Sequence, residues 1–221
     1  MQVLYGKNIP KHLYSKIVEL DAEVFSTENE EFTGDTTMPP EAVYSMLEKN
    51  ILSTVVVVEG EQVIAYFQTF PMEREFEKQY VLGQKTFKEL DGNNVQPEKQ
   101  GSINLYLWSL GIKKEYRGKK FKSGGESVSI MQLLHEGLVD ALTDMKKEGI
   151  VVKKVLGEAV SEKGRKEVIG FCGEDGLIHE DKENDFYMYG AAFSPRCEAF
   201  SRCRNVGRLT KEYDKEFIGQ K

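Results

Sequence analysis

Long hydrophobic runs are missing from this chain of 221 residues. Its longest purely apolar run lies around Val55–Val58, far short of the ~20 residues that a membrane-spanning helix requires. Polar residues interrupt the N-terminal segment throughout, so that segment does not resemble a secretory signal. We therefore expect a soluble, cytoplasmic protein without a membrane partner.

Cysteine and histidine are scarce, at three residues each. The cysteines form no CxxC pair, which favours buried or incidental thiols over a disulfide or a catalytic cysteine. The histidines are widely separated and show no metal-ligand spacing, so we predict no metal site. The residues concerned are Cys172, Cys197, Cys203, His12, His135 and His179.

Positive charge is also in short supply, because the chain has a formal net charge of -6 at pH 7. This balance argues against nucleic acid as the main partner. The exception is Lys113–Lys122, called the basic segment below, where six Lys and Arg residues accompany a single acid, Glu115. Two interpretations of the basic segment stay open on charge alone. It is either a solvated surface turn or a site for a phosphate-bearing ligand at the start of the following helix.

The hydrophobic content of 40% is sufficient for a core, and the apolar periodicity changes repeatedly between strand and helix spacing. Strands are predicted at Gln2–Tyr5, Ser53–Val58, Gln62–Phe70, Ile103–Ile112, Val151–Val160 and Asp185–Phe193. Helices are predicted at Pro10–Phe25, Glu41–Lys49, Glu126–Lys147, Ser161–Ile169 (ending at Gly170-Phe171) and Thr210–Phe217. The polar stretch 73–101 is interpreted as an elaboration with one strand or short helix around Tyr80–Leu90.

Three segments carry a family resemblance: the hairpin VVVVEGEQVIAYFQ, the strand and loop SLGIKKEYRGKKF, and the strand and helix GEAVSEKGRKEVIGF. In this order they resemble the GNAT superfamily of acyl-CoA-dependent N-acyltransferases. The resemblance implies an α+β (mixed α/β) fold, in which helices flank a central, mixed, mostly antiparallel sheet whose fourth and fifth strands splay into a V. It also implies one GNAT-like domain over residues 1–193, with 73–101 as an elaboration and 194–221 as a polar C-terminal tail.

An N-acetyltransferase is the function that the resemblance implies, one that moves an acetyl group from acetyl-CoA to an amine by direct attack in a ternary complex. The acceptor would be a small-molecule or peptide amine. The stretch Glu19–Glu41 contains eight carboxylates and no Lys or Arg, which favours a cationic acceptor such as a polyamine, an aminoglycoside-like compound or a lysine side chain. The competing interpretation is a non-catalytic GNAT-fold module that binds CoA or another anion as a sensor. A homodimer stays open under either interpretation.

The resemblance places the cofactor in the V, with its pantetheine on backbone groups at the end of the fourth strand and its pyrophosphate on the basic segment. The residues so predicted are Leu110, Gly111, Ile112, Arg117, Gly118, Lys119, Lys120, Lys122, Ser123, Gly124 and Gly125. Lys120 and Lys122 depart from the family, which has small residues there. The span Arg117–Gly149 is also about three helical turns longer than usual. Either the Ser-Gly-Gly that follows takes over the phosphate contacts, or the two lysines block the site.

The residues for proton transfer follow less directly from the resemblance. Family members often place a tyrosine four residues before Gly170, where it protonates the departing CoA thiolate, and this chain has Lys166 there. Some members have an acidic base eleven residues before Arg117, where this chain has Tyr106, so Glu158 on the next strand is the closest carboxylate. The candidate catalytic residues are Tyr106, Glu158 and Tyr187, with Tyr189 and water-mediated deprotonation as alternatives.

Reversing one charge of the basic segment tests whether that segment binds a phosphate. We expect Lys120→Glu to weaken the binding of acetyl-CoA, and to do so more strongly at low salt, because exposed charges are screened by added ions. Titration calorimetry at two salt concentrations measures the effect. An unchanged affinity would assign Lys120 to a solvated turn.

Overall fold

The computed structural model describes residues 1–25, 38–123, 125–182 and 186–218. Nine strands are present in the described chain, and seven of them form one sheet in the order β1-β2-β3-β4-β7-β9-β8. Every neighbouring pair in this sheet is antiparallel except β4 and β7, which run parallel. The strands are β1 (Gln2–Tyr5), β2 (Val55–Glu59), β3 (Gln62–Pro71), β4 (Gly101–Ile112), β5 (Lys120–Ser123), β6 (Glu126–Ser129), β7 (Ile150–Ala159), β8 (Leu177–Asp181) and β9 (Phe186–Ala192).

Helices cover both faces of the sheet, which is the predicted fold class. The α-helices are α1 (Tyr14–Val24), α2 (Pro40–Lys49), α3 (Arg74–Val81), α4 (Ile130–Lys147), α5 (Glu162–Cys172) and α6 (Val206–Ile218). The first three contribute the buried side chains of the core on one face, and the last three those of the other. The spacing of apolar residues explains why a helix such as α1 packs one side against the sheet. On α1, Ile17, Leu20 and Val24 recur at three- and four-residue steps and are all buried.

Several predicted boundaries are wrong by a turn. The first helix begins at Tyr14, because Lys11–Leu13 forms a short 3₁₀ turn after Pro10. In the elaboration, the helix is Arg74–Val81 and so begins before the predicted Tyr80–Leu90. Helix α5 continues through Gly170-Phe171 to Cys172, and it ends at Gly173, whose positive φ of 75° suits glycine. Strand β8 was not predicted, since its alternation is short and exposed.

The predicted helix Glu126–Lys147 is wrong in its first turn. Residues Glu126–Ser129 form a strand that pairs with Lys120–Ser123, so a separate two-stranded hairpin lies between the basic segment and the helix. Helix α4 begins at Ile130 because Ser129 caps it, accepting a hydrogen bond from the backbone N–H of Gln132 at 3.1 Å. The extra length between Arg117 and Gly149 is therefore accounted for by this β5–β6 hairpin and not by extra helical turns.

The parallel pair β4 and β7 separates along its length. The ladder between them stops at Leu107 and Gly157, although β4 continues to Ile112. At the same point β4 contains a bulge: Leu107 lies opposite Thr69 and Ser109 opposite Gln68, so Trp108 is the extra residue. The bulge and the end of the ladder together open the predicted V between the fourth and fifth strands of the sheet order.

The segment after β9 packs into the core on the α4 face. Phe200, Cys203, Leu209 and Tyr213 are all buried there. The hydroxyl of Tyr213 also accepts a hydrogen bond from the backbone N–H of Val152 on β7, at 3.1 Å. Residues 194–218, predicted as a polar tail, thus contribute buried side chains to the folded unit.

A glycine in the middle of α4 allows the helix to lie close to the sheet. A Cβ on Gly137 would approach a methyl group of Val55 to 2.4 Å and one of Val3 to 2.8 Å. Alanine normally stabilises a helix interior relative to glycine by up to ~1 kcal/mol. Here we expect Gly137→Ala to destabilise the fold by about 1–3 kcal/mol in urea unfolding, because the added methyl overpacks the contact.

The matched control for this prediction is Gly207→Ala in α6, where a Cβ would meet nothing within 4 Å. That variant should be neutral or slightly stabilising. If both variants shifted the unfolding midpoint equally, the close approach at Gly137 would not be the cause.

Candidate active site

A cavity of about 560 Å³ occupies the V between β4 and β7. Its floor is the unpaired end of β4, and α5 and the start of α4 form one side. Residues of α1 and of the elaboration form the other side, where Phe25, just after α1, and Phe87 line the cavity together with Trp108 of β4. The cavity is therefore lined by residues from both faces of the sheet.

One end of the cavity is suited to an anion. Arg117, Gly118 and Lys119 line it together with Ser129, Ile130 and Met131, which form the start of α4. The first turn of α4 carries no acid, and the positive end of its helix dipole lies at the cavity. Arg117 is held in place because its Nε donates to the carbonyl of Ile112 at 3.0 Å.

The predicted cofactor residues divide into two groups. Those that line the cavity are Leu110, Ile112, Arg117, Gly118 and Lys119. Lys120, Lys122 and Gly125 belong to the β5–β6 hairpin and do not line the cavity; Ser123 lies on the same hairpin, and Gly124 falls outside the described residues. Since the hairpin separates these positions from the helix, the residues that directly precede α4 are not the predicted Ser-Gly-Gly.

Gly111 has a packing reason to be glycine. It pairs with Tyr66 across β3 and β4, and a Cβ at Gly111 would lie 2.3 Å from the Tyr66 ring. The glycine therefore makes room for a tyrosine that is fully buried beneath it.

Two of the three predicted catalytic residues, Glu158 and Tyr106, are linked through the hydroxyl of Tyr80. Glu158 lines the cavity and accepts a hydrogen bond from Tyr80 of α3, while the hydroxyls of Tyr80 and Tyr106 lie 2.8 Å apart. Burial raises the pKa of Glu158 from its ordinary 4.5 to about 8. Burial also raises the pKa of Tyr106 well above 10.0, so Tyr106 remains a neutral hydrogen-bond donor.

The third predicted catalytic residue, Tyr187, lies outside the cavity. The guanidinium of Arg165 sits 4.2 Å from the centre of its ring. Tyr189 is buried and accepts a hydrogen bond from Arg165 at 3.0 Å. Lys166, at the position of the family's tyrosine, is exposed and paired with Glu162.

A second buried carboxylate lines the cavity near the bulge. Asp21 of α1 accepts hydrogen bonds from the Tyr66 hydroxyl at 2.6 Å and from the Ser109 hydroxyl at 2.7 Å. Burial raises the pKa of Asp21, and the two hydrogen bonds oppose that rise. Of the eight acids between Glu19 and Glu41, this is the one that lines the cavity among the described residues; Glu28, Glu30, Glu31 and Asp35 fall outside them.

Sequence reasoning missed Tyr80 as part of the site, did not single out Asp21 among the acids of its stretch, and began α4 at Glu126 where the structure has Ile130. Tyr80 has no local signal, because its partner Glu158 lies 78 residues away. Asp21 had one: it occupies an apolar position of an amphipathic helix, four residues after Ile17 and three before Val24. An acid in such a place is buried and needs partners.

The cysteines form no disulfide, and the described residues contain no group of side chains that could hold a metal ion. All three cysteines are free, and burial raises the pKa of Cys197 to about 11 and those of Cys172 and Cys203 to about 12. None of them is a ready thiolate at neutral pH. In the described ranges, no three His, Cys, Asp or Glu side chains are grouped so that they could hold a metal ion. No helix of those ranges is long and apolar enough to cross a membrane.

Comparison with solved structures shows the fold. A GNAT-like decarboxylase, GphF, in complex with isobutyryl-CoA matches 87% of this chain and 99% of its own, at a TM-score of 0.52 and 13% identity. A GNAT-family acetyltransferase from Streptococcus pneumoniae covers the same share of this chain at a TM-score of 0.48 and 13% identity. A polyamine N-acetyltransferase from Drosophila melanogaster does so at 0.48 and 11%. No protein-family model and no curated protein matches the sequence. The chain thus has the GNAT fold, and the resemblance seen in the sequence is confirmed at that level.

The raised pKa of Glu158 predicts a pH-dependent stability. Between pH 4.5 and about 8 the folded chain keeps a proton on Glu158 that the unfolded chain has released. Folding stability from this group therefore falls as pH rises through that window, by at most ~1.4 kcal/mol per pH unit. Glu158→Gln removes the titration, so its free energy of unfolding relative to the wild type should increase between pH 5.5 and 7.5. A constant difference across that range would contradict the buried, protonated carboxyl.

Proposed function

We propose that the protein is an N-acetyltransferase that uses acetyl-CoA and an amine acceptor. The observation that carries the proposal is the cavity in the V: it has an anion site at one end and a buried carboxylate of raised pKa at the other. The fold brings these two ends to opposite sides of one opening between β4 and β7.

We assign one end of the cavity to the cofactor on the basis of its charge and its backbone groups. The pyrophosphate of CoA is anionic, and the start of α4 together with Arg117 and Lys119 offers N–H groups and positive charge. The pantetheine is an amide chain, and the edge of β4 beyond Leu107 has no ladder partner on the β7 side to compete for it. Leu110 and Ile112 line this part of the cavity, and we assign the polarisation of the thioester carbonyl to a backbone N–H group there.

Glu158 is the group that we assign to deprotonation of the acceptor. An alkylammonium has a pKa of ~10.4, so passing its proton to an ordinary carboxylate costs ~8 kcal/mol, from ~1.36 kcal/mol per pKa unit. With the pKa of Glu158 at about 8, the cost falls to about 3 kcal/mol. The approaching ammonium also favours the ionised form of the carboxyl, because opposite charges stabilise one another.

The reaction then balances within the ternary complex. The ammonium gives one proton to Glu158, and the neutral nitrogen attacks the thioester carbonyl carbon. The C–N bond forms, the C–S bond breaks, and the leaving thiolate takes the proton that the attacking nitrogen loses. Tyr80 and Tyr106 keep Glu158 oriented through their hydrogen bonds.

A second candidate function is a module that binds CoA without transferring its acyl group. Lys166 favours it, since this exposed lysine stands at the position of the family's thiolate-protonating tyrosine. Chemistry other than transfer to an amine also occurs on this fold, because the matched GphF structure is that of a decarboxylase.

Release of CoA thiol from acetyl-CoA, measured with a thiol reagent over a panel of amines, tests the proposal. We expect kcat/KM to rise with pH with an apparent pKa of about 8, the value given for Glu158. Glu158→Gln should lower kcat/KM by about 10²- to 10⁴-fold and abolish that rise. The matched control is Glu162→Gln, an exposed acid on α5 that pairs with Lys166. Binding of acetyl-CoA without thiol release for any amine would favour the binding module.

A further inference from the structure

Two of the three carboxyl side chains that line the cavity in the described part of the chain, Asp21 and Glu158, are held in the same way, whereas the third, Glu167, contacts His135. Asp21 is held by a buried tyrosine, Tyr66, and Glu158 is held by another, Tyr80. In each case the hydroxyl donates to one oxygen of the carboxylate: Oδ1 of Asp21, which also accepts from Ser109, and Oε2 of Glu158. A tyrosine hydroxyl fixes the direction of such a carboxylate without neutralising its charge.

The other oxygen of each carboxylate remains available. Within the described residues no donor reaches Oδ2 of Asp21 or Oε1 of Glu158, and neither side chain has an ion-pair partner. Neither oxygen is among the fully buried polar atoms that lack a partner, so both retain accessible surface, and both residues line the cavity. Asp21 is only 7% exposed, and an unpaired oxygen on so buried a carboxylate is costly unless a cationic donor fills the site.

Both carboxylates lie on the same face of the sheet, on either side of Trp108. The bulge puts Trp108 and Ser109 together on the α1 face, where Ser109 contacts Asp21. On its other side Trp108 packs against Tyr106, with ring centroids 6.0 Å apart, and Tyr106 leads through Tyr80 to Glu158. An aromatic surface therefore separates the two carboxyl groups.

We propose that the amine acceptor carries two basic nitrogens joined by an apolar spacer. Asp21 binds the nitrogen that keeps its proton, the spacer lies along Trp108, and Glu158 receives the proton of the nitrogen that is acetylated. This inference rests on the proposed acetyl transfer, and it names the class of acceptor that the same cavity takes. A monoamine satisfies one carboxylate and leaves the other without a partner.

Matched pairs of acceptors test the inference in the wild-type protein. Each α,ω-diaminoalkane from two to six methylenes is compared with the monoamine of equal carbon number, by CoA-thiol release at saturating acetyl-CoA. We expect kcat/KM to favour the diamine by about ten- to a hundredfold at one best chain length, the range of a charge-assisted hydrogen bond. A smooth increase with chain length in both series would indicate apolar contact alone and overturn the inference.

Asp21→Asn provides the second arm. The amide keeps an acceptor for Tyr66 and Ser109 but removes the charge, so the ratio of diamine to monoamine kcat/KM should fall towards one, mainly through a higher KM for the diamine. The control is Asp144→Asn, because Asp144 accepts a hydrogen bond from Tyr5 at 3.2 Å outside the cavity and offers the same substitution at another tyrosine–aspartate pair.

The outcomes separate the two proposals. Thiol release with monoamines and diamines alike, at a ratio near one for every chain length, would overturn the two-nitrogen acceptor and leave acetyl transfer intact. No thiol release with any amine would instead count against the transferase. If Asp21→Asn does not fold, the chain-length optimum in the wild type still decides the question.

Discussion

The parting of β4 from β7 beyond the Leu107–Gly157 pair is the constraint on which the site depends. A parallel ladder that continued to Ile112 would close the sheet and leave no room between the strands. The ladder stops where β4 bulges at Trp108, and the unsatisfied backbone edge that results must find partners in something other than a strand. In this fold the cavity lies against that edge, so the feature that interrupts the sheet also creates the place where a ligand can complete it.

Each side of the V is supplied by a different part of the chain. On one side, α4 and α5 pack over the sheet and present a helix start and basic residues. On the other, α1 presents Asp21, which Tyr66 holds, and α3 supplies Tyr80, which holds Glu158 of β7. Glu167 of α5 also lines the cavity, so both sides carry an acid, while the helix start, Arg117 and Lys119 supply the positive groups. The core on each face fixes its own set of groups, and only the opening between β4 and β7 brings them together.

The order of most elements could be predicted from the sequence because it depends on local patterns, although β5, β6 and β8 were not predicted. Two apolar runs on either side of Glu59-Gly60-Glu61 indicated the hairpin of β2 and β3, and Ser161 indicated the start of α5, where it accepts from the N–H of Gly164. The start of α4 could not be placed, since Glu126–Ser129 is compatible with a helix turn until its pairing with β5 is known. The pairing of Tyr80 with Glu158 depends on contacts across 78 residues, and no local pattern reports them. Charge alone does not distinguish the lysines that line the cavity from the exposed lysines of the hairpin, because the two kinds are adjacent in the sequence.

The β5–β6 hairpin begins and ends at nearly the same point in space, because Lys120 and Ser129 face each other across its base. Phe121 fastens it there, with its ring stacked on that of Tyr116 and packed against the core. The chain therefore leaves the cavity rim and returns to it without displacing Arg117 or the cap of α4. A change in the length of the hairpin therefore leaves the geometry of the site unchanged. The tip of the hairpin is a position where residues can be added or removed, for instance to carry a fluorescent label, while the two ends that frame the cavity stay in register.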